Sequence, residues 1–490
     1  MSASAEYDLV CIGSGPAAIR CAIQAAKLGK RAAIVEKAPL LGGSCLRTGT
    51  IPSKTFREAV RNVTREAVVR NIHSTNIQRV RPTMPQLVAR VQEVMETEST
   101  TVRSQLDRND VAVLPGLAAF IDPNTLRIEA SDSTRVVRAA HVLIGVGSRA
   151  ILPKGVRCDG ETIFSSDNVL EMRELPHSMT VMGAGVIGVE YASMFAQAGV
   201  LVTMVDKVDR PLSFIDRELT DELMHQLRAL RVTFRMNEEV STVEVLDGSP
   251  RRGSVVTKSG KRIVSDVILI SAGRTGNTES LDLETISLEP DDRGRLKVDE
   301  YFQTSVPTVY AAGDVIGFPG LAATSYEQGR LAACHMFGEP VSPMGDHYPF
   351  GIYAIPEISM VGATEEQLTK ECTPYEIGVS RYGEIARGLI SGDDGGLLKL
   401  IFHRDTRRLL GAHCIGTQAT ELIHIGQAVL RLGGGLDYFL ETVFNYPTFA
   451  ECYKVAALNA HNRLKVSSIM PAPEMPCEPQ PGASTSREHP

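Results

Sequence analysis

A strand, a glycine-rich turn, a helix and a second strand occur twice in this chain, and that repeat limits what it can fold into more than any other feature. From Tyr7 to Lys37, the apolar run Leu9 to Ile12 leads into Gly13-Ser14-Gly15-Pro16, an alanine-rich helix former follows, and Ala32 to Val35 is a second apolar run. From Thr180 to Asp206 the plan recurs, with Val181-Met182-Gly183-Ala184-Gly185-Val186-Ile187-Gly188, a helix through Ala198 and a strand from Leu201 to Val205. Strands joined in this way run parallel, because the crossover between them needs a helix. The two copies predict an α/β fold with two Rossmann-like nucleotide-binding domains.

A lone glycine fingerprint is weak, and its surroundings decide. In the first copy Gly13 and Gly15 let the backbone turn tightly and approach a pyrophosphate, Ala18 fills the small third position, and the following helix offers free N–H groups to an anion. Glu36 ends the next strand, where a carboxylate can accept ribose hydroxyls. The alternative is a tight turn in any α/β sheet with Glu36 merely solvated; the strand before and the helix after favour a nucleotide. In the second copy Gly183, Gly185 and Gly188 carry the turn, and Asp206 stands where Glu36 stood. An acid there favours NAD, since it would repel a 2′-phosphate, whereas Lys207 and Arg210 could neutralise one. Read as solvated loop charges they do nothing of the kind, so a site for either dinucleotide stays open.

The chain has 490 residues, which suggests three or four packed units. Met84 to Leu106 suits a helix and Val111 to Ile144 is rich in β-branched residues. Pro153 and Gly155 interrupt both periodicities between Ile151 and Asp167, a plausible passage into a second domain. Leu219, Leu223, Leu227 and Leu230 share a helical face in Arg217 to Leu230. A strand run closes with Val267 to Ile270, and a return segment carries Tyr310-Ala311-Ala312-Gly313-Asp314 before a small-residue helix from Leu321 to Phe337. From about His347 the pattern becomes α+β, with strands Ile358 to Val361, Leu397 to Phe402 and Leu409 to Ile415 and helices Thr420 to Leu432 and Glu451 to Arg463. Ser467 to Pro490 is proline-rich and nearly devoid of apolar residues, and reads as a disordered tail.

With 51 basic and 58 acidic side chains the net charge is −7, so the chain lacks the overall positive field that attracts nucleic acid. The nine cysteines are scattered without zinc-site or secreted-framework spacing, which fits a reducing compartment. Met1 to Glu6 has no signal-peptide pattern, and no apolar run reaches the roughly 18 residues a membrane span needs. A cytoplasmic protein with no membrane partner is expected. No metal is expected either: His347, His403 and His413 lack ligand spacing, and His424 reads as a core histidine on an apolar helix face.

The segment Leu41-Gly42-Gly43-Ser44-Cys45-Leu46-Arg47-Thr48-Gly49-Thr50-Ile51-Pro52-Ser53-Lys54 resembles the redox-active segment of FAD-dependent pyridine nucleotide-disulfide oxidoreductases such as dihydrolipoamide dehydrogenase. In that family two cysteines form a reducible disulfide beside the flavin. Here the first is Cys45 and the second is replaced by Thr50, so the dithiol relay is lost, because a disulfide needs two sulfurs in bonding geometry. The family's C-terminal His-Pro-Thr-x-x-Glu pattern stands as Tyr446-Pro447-Thr448-Phe449-Ala450-Glu451. A phenol's ordinary pKa is too high to serve thiols as their acid and base at neutral pH. Two linked losses beside intact nucleotide motifs look like a changed function. The pairing is similar to the transhydrogenase branch of the family, over nearly the whole chain up to about Lys465.

The resemblance implies FAD as cofactor and NAD and NADP as substrates. NADPH would reduce FAD, NADP⁺ would leave, and NAD⁺ would enter the same site to collect the hydride, a ping-pong order. It places Lys54 near flavin N5, paired with Glu190, and Asp314 on the ribityl or pyrophosphate region. The helix from Leu321 would aim its N-terminus at the flavin's pyrimidine edge. It also assigns Lys37, Gly147 and Ala322 to FAD and Gly273 to NAD(P). Cys45 reads as a small residue held by packing, the alternative being a charge-transfer or regulatory thiol within reach of Cys452 from a partner subunit.

A homodimer is implied, with Tyr446 and Glu451 acting across the interface. The expected division is a first part of the FAD-binding domain at 1–150, an NAD(P)-binding domain at 151–275, a return segment of the FAD domain at 276–345, an α+β dimerisation domain at 346–465 and a tail at 466–490. The competing activities are a flavin-dependent NAD(P)H oxidase or quinone reductase, and a non-catalytic flavin-binding protein.

Overall fold

The first strand, Glu6–Ile12, is buried on both faces, Leu9 and Cys11 in one apolar cluster and Val10 and Ile12 in another. That is why it reads as a continuous apolar run rather than an alternating one. The computed structural model describes residues 6–71 and 81–469. The chain divides into two compact units, one of Met1–Leu175 with Leu269–Gly345, the other of Pro176–Ile268 with Asp346–Pro490.

In the first unit, Glu6–Ile12 pairs in parallel with Ala32–Glu36 in the register Leu9 to Ala32, and Ala32–Glu36 pairs in parallel with Ala112–Pro115. The long strand Ser133–Ile144 serves two purposes. Its first half closes an antiparallel meander with Thr125–Ala130 and Leu117–Asp122. Its second half runs parallel to Glu6–Ile12 on one side and to the return strand Val309–Ala311 on the other. Helices Pro16–Lys27 and Ala322–Met336 cover one face, burying Ala17, Ala18, Cys21 and Leu331.

In the second unit, Ser178–Met182, Leu201–Val205 and Thr233–Arg235 are parallel neighbours, and Val240–Leu246, Arg252–Thr257 and Arg262–Ser265 form an antiparallel sheet. A five-stranded antiparallel sheet follows in the order Phe350–Ile352, Ile358–Gly362, Leu409–Ile415, Leu397–His403, Tyr375–Arg381. Helices Ala419–Arg431 and Glu451–Ile469 belong to the same apolar cluster. The strand Tyr375–Arg381 carries a central Gly378 that blurs its pattern. A Cβ there would lie 2.0 Å from the carbonyl oxygen of Ala456, so helix Glu451–Ile469 rests directly on this strand's backbone.

Other expectations shift in detail. Thr50–Asn71 continues as a helix beyond the motif that begins it. The helix Glu451–Ile469 extends into the segment expected to be tail, and residues 470–490 lie outside the described ones. His424 is not a core residue: it is exposed on helix Ala419–Arg431 and its Nδ1 pairs with Gln427 Oε1 at 2.9 Å. His413 is the buried histidine, its Nε2 2.9 Å from the carbonyl oxygen of Ala363. Among the described residues, no helix is long and apolar enough to cross a membrane.

Helix Arg217–Ala229 turns Leu219, Leu223 and Leu227 inward while Leu230, its cap, is half-buried. Asp216 caps the helix through the Glu218 amide at 3.1 Å and also holds the buried Lys399 ammonium at 2.8 Å. Lys399, 1% exposed, further pairs with Glu365 and with Glu218 at 3.2 Å. One cation thus ties the strand Leu397–His403 to the cap of a helix far away in sequence. Asp216, Glu218 and Glu365 are grouped closely enough to resemble a metal site, but the ammonium lies among them. Lys399→Met leaves Asp216 buried without its counter-ion and is expected to cost about 3–5 kcal/mol in urea unfolding; a loss under roughly 1 kcal/mol would contradict this reading of the cluster.

Candidate functional site

The first glycine turn lies in the first unit, between Glu6–Ile12 and Pro16–Lys27. Gly13 donates its amide to the carbonyl of Val35 at 2.8 Å and has φ +100°. A Cβ on Gly13 would stand 2.5 Å from the carbonyl oxygen of Gly145. Gly15 caps helix Pro16–Lys27 with no side-chain hydrogen bond and Pro16 opens it, so the first-turn amides face outward without a side-chain acceptor. Glu36, buried, closes the turn: its Oε2 accepts from the Ser14 amide at 3.0 Å and the Ser14 hydroxyl at 2.6 Å, and its Oε1 from the Ala38 amide at 2.8 Å. Ser14 Oγ in turn accepts from the Gly42 amide at 3.1 Å. Ser14 is a residue the sequence reading left without a role, although it sits between the two fingerprint glycines.

The segment from Gly42 is thereby drawn onto the turn. A Cβ on Gly43 would lie 2.8 Å from Gly15 Cα. Cys45 follows on the short helix Gly43–Arg47, and Thr50 opens the next helix. The Thr50 side chain lies close enough to the Cys45 thiol to act on its ionisation. Burial pushes that thiol's pKa up, the Thr50 contact pulls it back, and Asp314 and Lys54 act on it with opposite signs; the net direction is upward. Cys45, Thr50, Lys54 and Asp314 are thus gathered in one neighbourhood. Cys45 is a half-buried free thiol rather than a fully buried packing residue. Cys452, proposed as its partner from another subunit, is sealed in the apolar cluster of its own unit.

Asp314 accepts from the Ser148 hydroxyl at 2.8 Å, and the adjacent Gly313 amide donates to Gln328 Oε1 at 2.8 Å. Gly147 has φ +67° and its carbonyl accepts from the Asn277 amide at 3.1 Å. Ala322 begins helix Ala322–Met336, again with no side-chain cap. Ala18 is fully buried and Lys37 is exposed. Gly273 belongs to this unit, where its carbonyl accepts from the Ile151 amide at 3.0 Å.

The second unit repeats the first turn's construction. Gly183 has φ +102° and donates to the carbonyl of Val205 at 2.9 Å; Gly185 caps helix Val186–Gln197 without a side-chain bond, and Gly188 is buried. Asp206 Oδ2 accepts from the Ala184 amide at 2.6 Å, as Glu36 does from Ser14. Lys207 is exposed beside it. Arg210 is committed elsewhere: its guanidinium pairs with Glu366 at 3.1 Å and donates to the carbonyls of Ser213 at 3.0 Å and Ile215 at 3.4 Å. Glu190, 4% exposed, accepts from the Tyr353 amide at 2.8 Å. Tyr446 is 72% exposed, and Glu451, at the start of its helix, has a buried Oε2 without a hydrogen-bond partner.

A family model described as pyridine nucleotide-disulphide oxidoreductase matches residues 7–329, and the dimerisation domain of the same family matches residues 348–457. The chain belongs to this family. It is accordingly an oxidoreductase that uses FAD and a nicotinamide dinucleotide. A relative from Mycobacterium bovis named soluble pyridine nucleotide transhydrogenase is 51% identical over 464 residues, covering 94% of this chain and 98% of its own. One from a Marinomonas species with the same name is 43% identical over 465 residues, covering 94% of this chain and 99% of its own. Among solved structures, the HOCl-induced flavoprotein disulfide reductase RclA from Escherichia coli superposes with a TM-score of 0.83 at 26% identity, covering 92% of this chain and 99% of its own.

The residues of the first unit fit FAD. The uncapped first turn of helix Pro16–Lys27, the closeness of Gly43 to Gly15, and the buried Arg47 Nε with no partner together make a cradle with donors for a pyrophosphate. Because Glu36 holds both the turn and the Gly42 segment, Glu36→Ala is expected to weaken FAD retention by at least tenfold, read as flavin fluorescence released on gel filtration; full retention would remove Glu36 from the site.

Proposed function

We propose that the enzyme transfers hydride between NADPH and NAD⁺ through FAD, with NADP⁺ leaving before NAD⁺ enters the same pocket, and without a redox-active disulfide. One observation carries the reading: where the family's second sulfur would stand, the chain has Thr50, whose side chain acts on the Cys45 thiol. The names of the relatives, 43% and 51% identical, support the same substrate pair.

FAD, when bound, supplies the hydride chemistry. The chain's own residues bind and orient. The first glycine turn, with Glu36, Lys37, Gly147 and Ala322, holds FAD, and Asp314 accepts from its polyol chain. The second turn, with Gly183, Gly185, Gly188 and Asp206, would hold the dinucleotide. Lys54 is a cation that would stabilise negative charge at the ring. With Arg210 bound to Glu366, Lys207 is the cation left beside Asp206 to meet a 2′-phosphate. Cys45, raised in pKa, is a poor nucleophile at neutral pH, in keeping with a chain that has no thiol exchange to perform.

The active form is a homodimer in the cytoplasm. Leu389, Ile390, Val443 and Tyr446 are 65–93% exposed in the second unit, large apolar side chains that a partner subunit would cover. The Glu451 carboxylate oxygen left without a partner would find one there.

Steady-state turnover of NADPH with thio-NAD⁺ on purified holoenzyme is expected to give parallel double-reciprocal lines. Reoxidation by quinone or O₂ with no thio-NAD⁺ reduced would replace this activity by an oxidase or quinone reductase, and an inert holoprotein would make it a flavin-binding module. Thr50→Cys alone is expected to give no dihydrolipoamide turnover, since Tyr446 still provides no thiol base; robust turnover would contradict that assignment.

A further inference from the structure

Arg274 lies where the chain returns to the first unit, on the short strand Arg274–Gly276 paired antiparallel with Ser148–Ala150. Its guanidinium is fully oriented. Nε donates to Ser148 Oγ at 2.8 Å, one terminal nitrogen to the Ser148 carbonyl at 2.8 Å, and the other to Asp167 Oδ1 at 2.9 Å and Ser166 Oγ at 3.5 Å. Asp167 is fixed in turn by the Ala150 amide, 2.9 Å from its Oδ2. Ser148, 7% exposed, therefore has a guanidinium N–H pointing at its oxygen.

A guanidinium can only donate, so Ser148 Oγ must accept from it, and the hydroxyl's one proton is left for its other neighbour. That neighbour is Asp314 Oδ2 at 2.8 Å. The direction of every bond in the chain Asp167, Arg274, Ser148, Asp314 is thus determined. One Asp314 oxygen is occupied and the other keeps its lone pairs for an incoming donor such as a polyol hydroxyl.

We propose that Arg274, acting through Ser148, is a positioning residue that turns the Asp314 carboxylate to receive a hydroxyl of the FAD ribityl chain. The inference rests on the assignment of Asp314 to FAD. It adds a residue contributed by the far side of the dinucleotide-binding insertion, so that a side chain encoded after that insertion orients a flavin contact.

The test uses the full-length holoenzyme and reads two quantities, the rate of FAD release on dilution, followed by flavin fluorescence, and the visible circular dichroism of the bound flavin. Ser148→Ala and Arg274→Met are each expected to speed release by roughly ten- to a hundredfold, the range for losing a hydrogen bond to a charged group, and to alter the dichroic band. The double variant is expected to be no worse than the more affected single one, because the two act in series. Ser148→Thr, which keeps the hydroxyl, is expected to restore both readouts, which a purely structural defect would not allow.

Wild-type release and dichroism in Ser148→Ala, with Asp314→Asn accelerated, would overturn the relay and leave Asp314 in place. An unaffected Asp314→Asn would instead remove the assignment beneath it. Where Ser148→Ala does not fold, Arg274→Met removes the donor to Ser148, and wild-type release from that variant would equally overturn the proposal.

Discussion

Each of the two nucleotide turns is closed by a carboxylate at the end of the neighbouring strand, and much else follows from that bond. Glu36 holds the Ser14 amide at 3.0 Å and Asp206 holds the Ala184 amide at 2.6 Å. The carboxylate fixes the turn without capping the helix behind it, so the helix N-terminus stays available to an anion. In the first copy the same carboxylate, through Ser14, also draws in Gly42, and with it the helix that carries Cys45. Flavin cradle and reactive segment are therefore coupled by a few hydrogen bonds around one buried acid. In the second copy Asp206 closes the turn in the same way.

The parts legible in the sequence are those set by local chemistry. The parallel strand Glu6–Ile12, buried on both faces, gave itself away as the apolar run Leu9 to Ile12, and the glycine turns were marked by residues that few others can replace. Strand Tyr375–Arg381 escaped because Gly378 answers to a helix backbone that lies far along the chain. Arg210 illustrates the same limit at the site: its spacing from Asp206 suggested a phosphate contact, yet Glu366 claims it from a different part of the second unit. Ser148, Arg274 and Asp314 are separated by long stretches, and no pattern along the chain announces their connection. Exposure is equally non-local, as His424, exposed on a helix with an apolar face, illustrates.

The proposed chemistry turns on Thr50, which brings a hydroxyl and a methyl group where the family carries a second thiol. Thr50 opens the helix after Cys45 but offers it no second sulfur, the partner that a thiol needs for two-electron exchange. Burial then works against the remaining sulfur, raising its pKa and leaving it largely as a thiol. Tyr446, 72% exposed, stands where the family carries a histidine, and in the proposed reaction no thiol needs a proton partner. In the proposed reaction only the dinucleotide end of the scaffold is used, and a second dinucleotide is the acceptor.

Anaerobic reductive titration of the holoenzyme, followed by its visible spectrum, tests this most directly by counting electron equivalents per flavin. The account predicts that each flavin accepts one pair of electrons and that bleaching is complete at that point, with no earlier long-wavelength intermediate. Uptake of a second pair before the flavin is fully bleached would reveal a working disulfide beside the ring and contradict it.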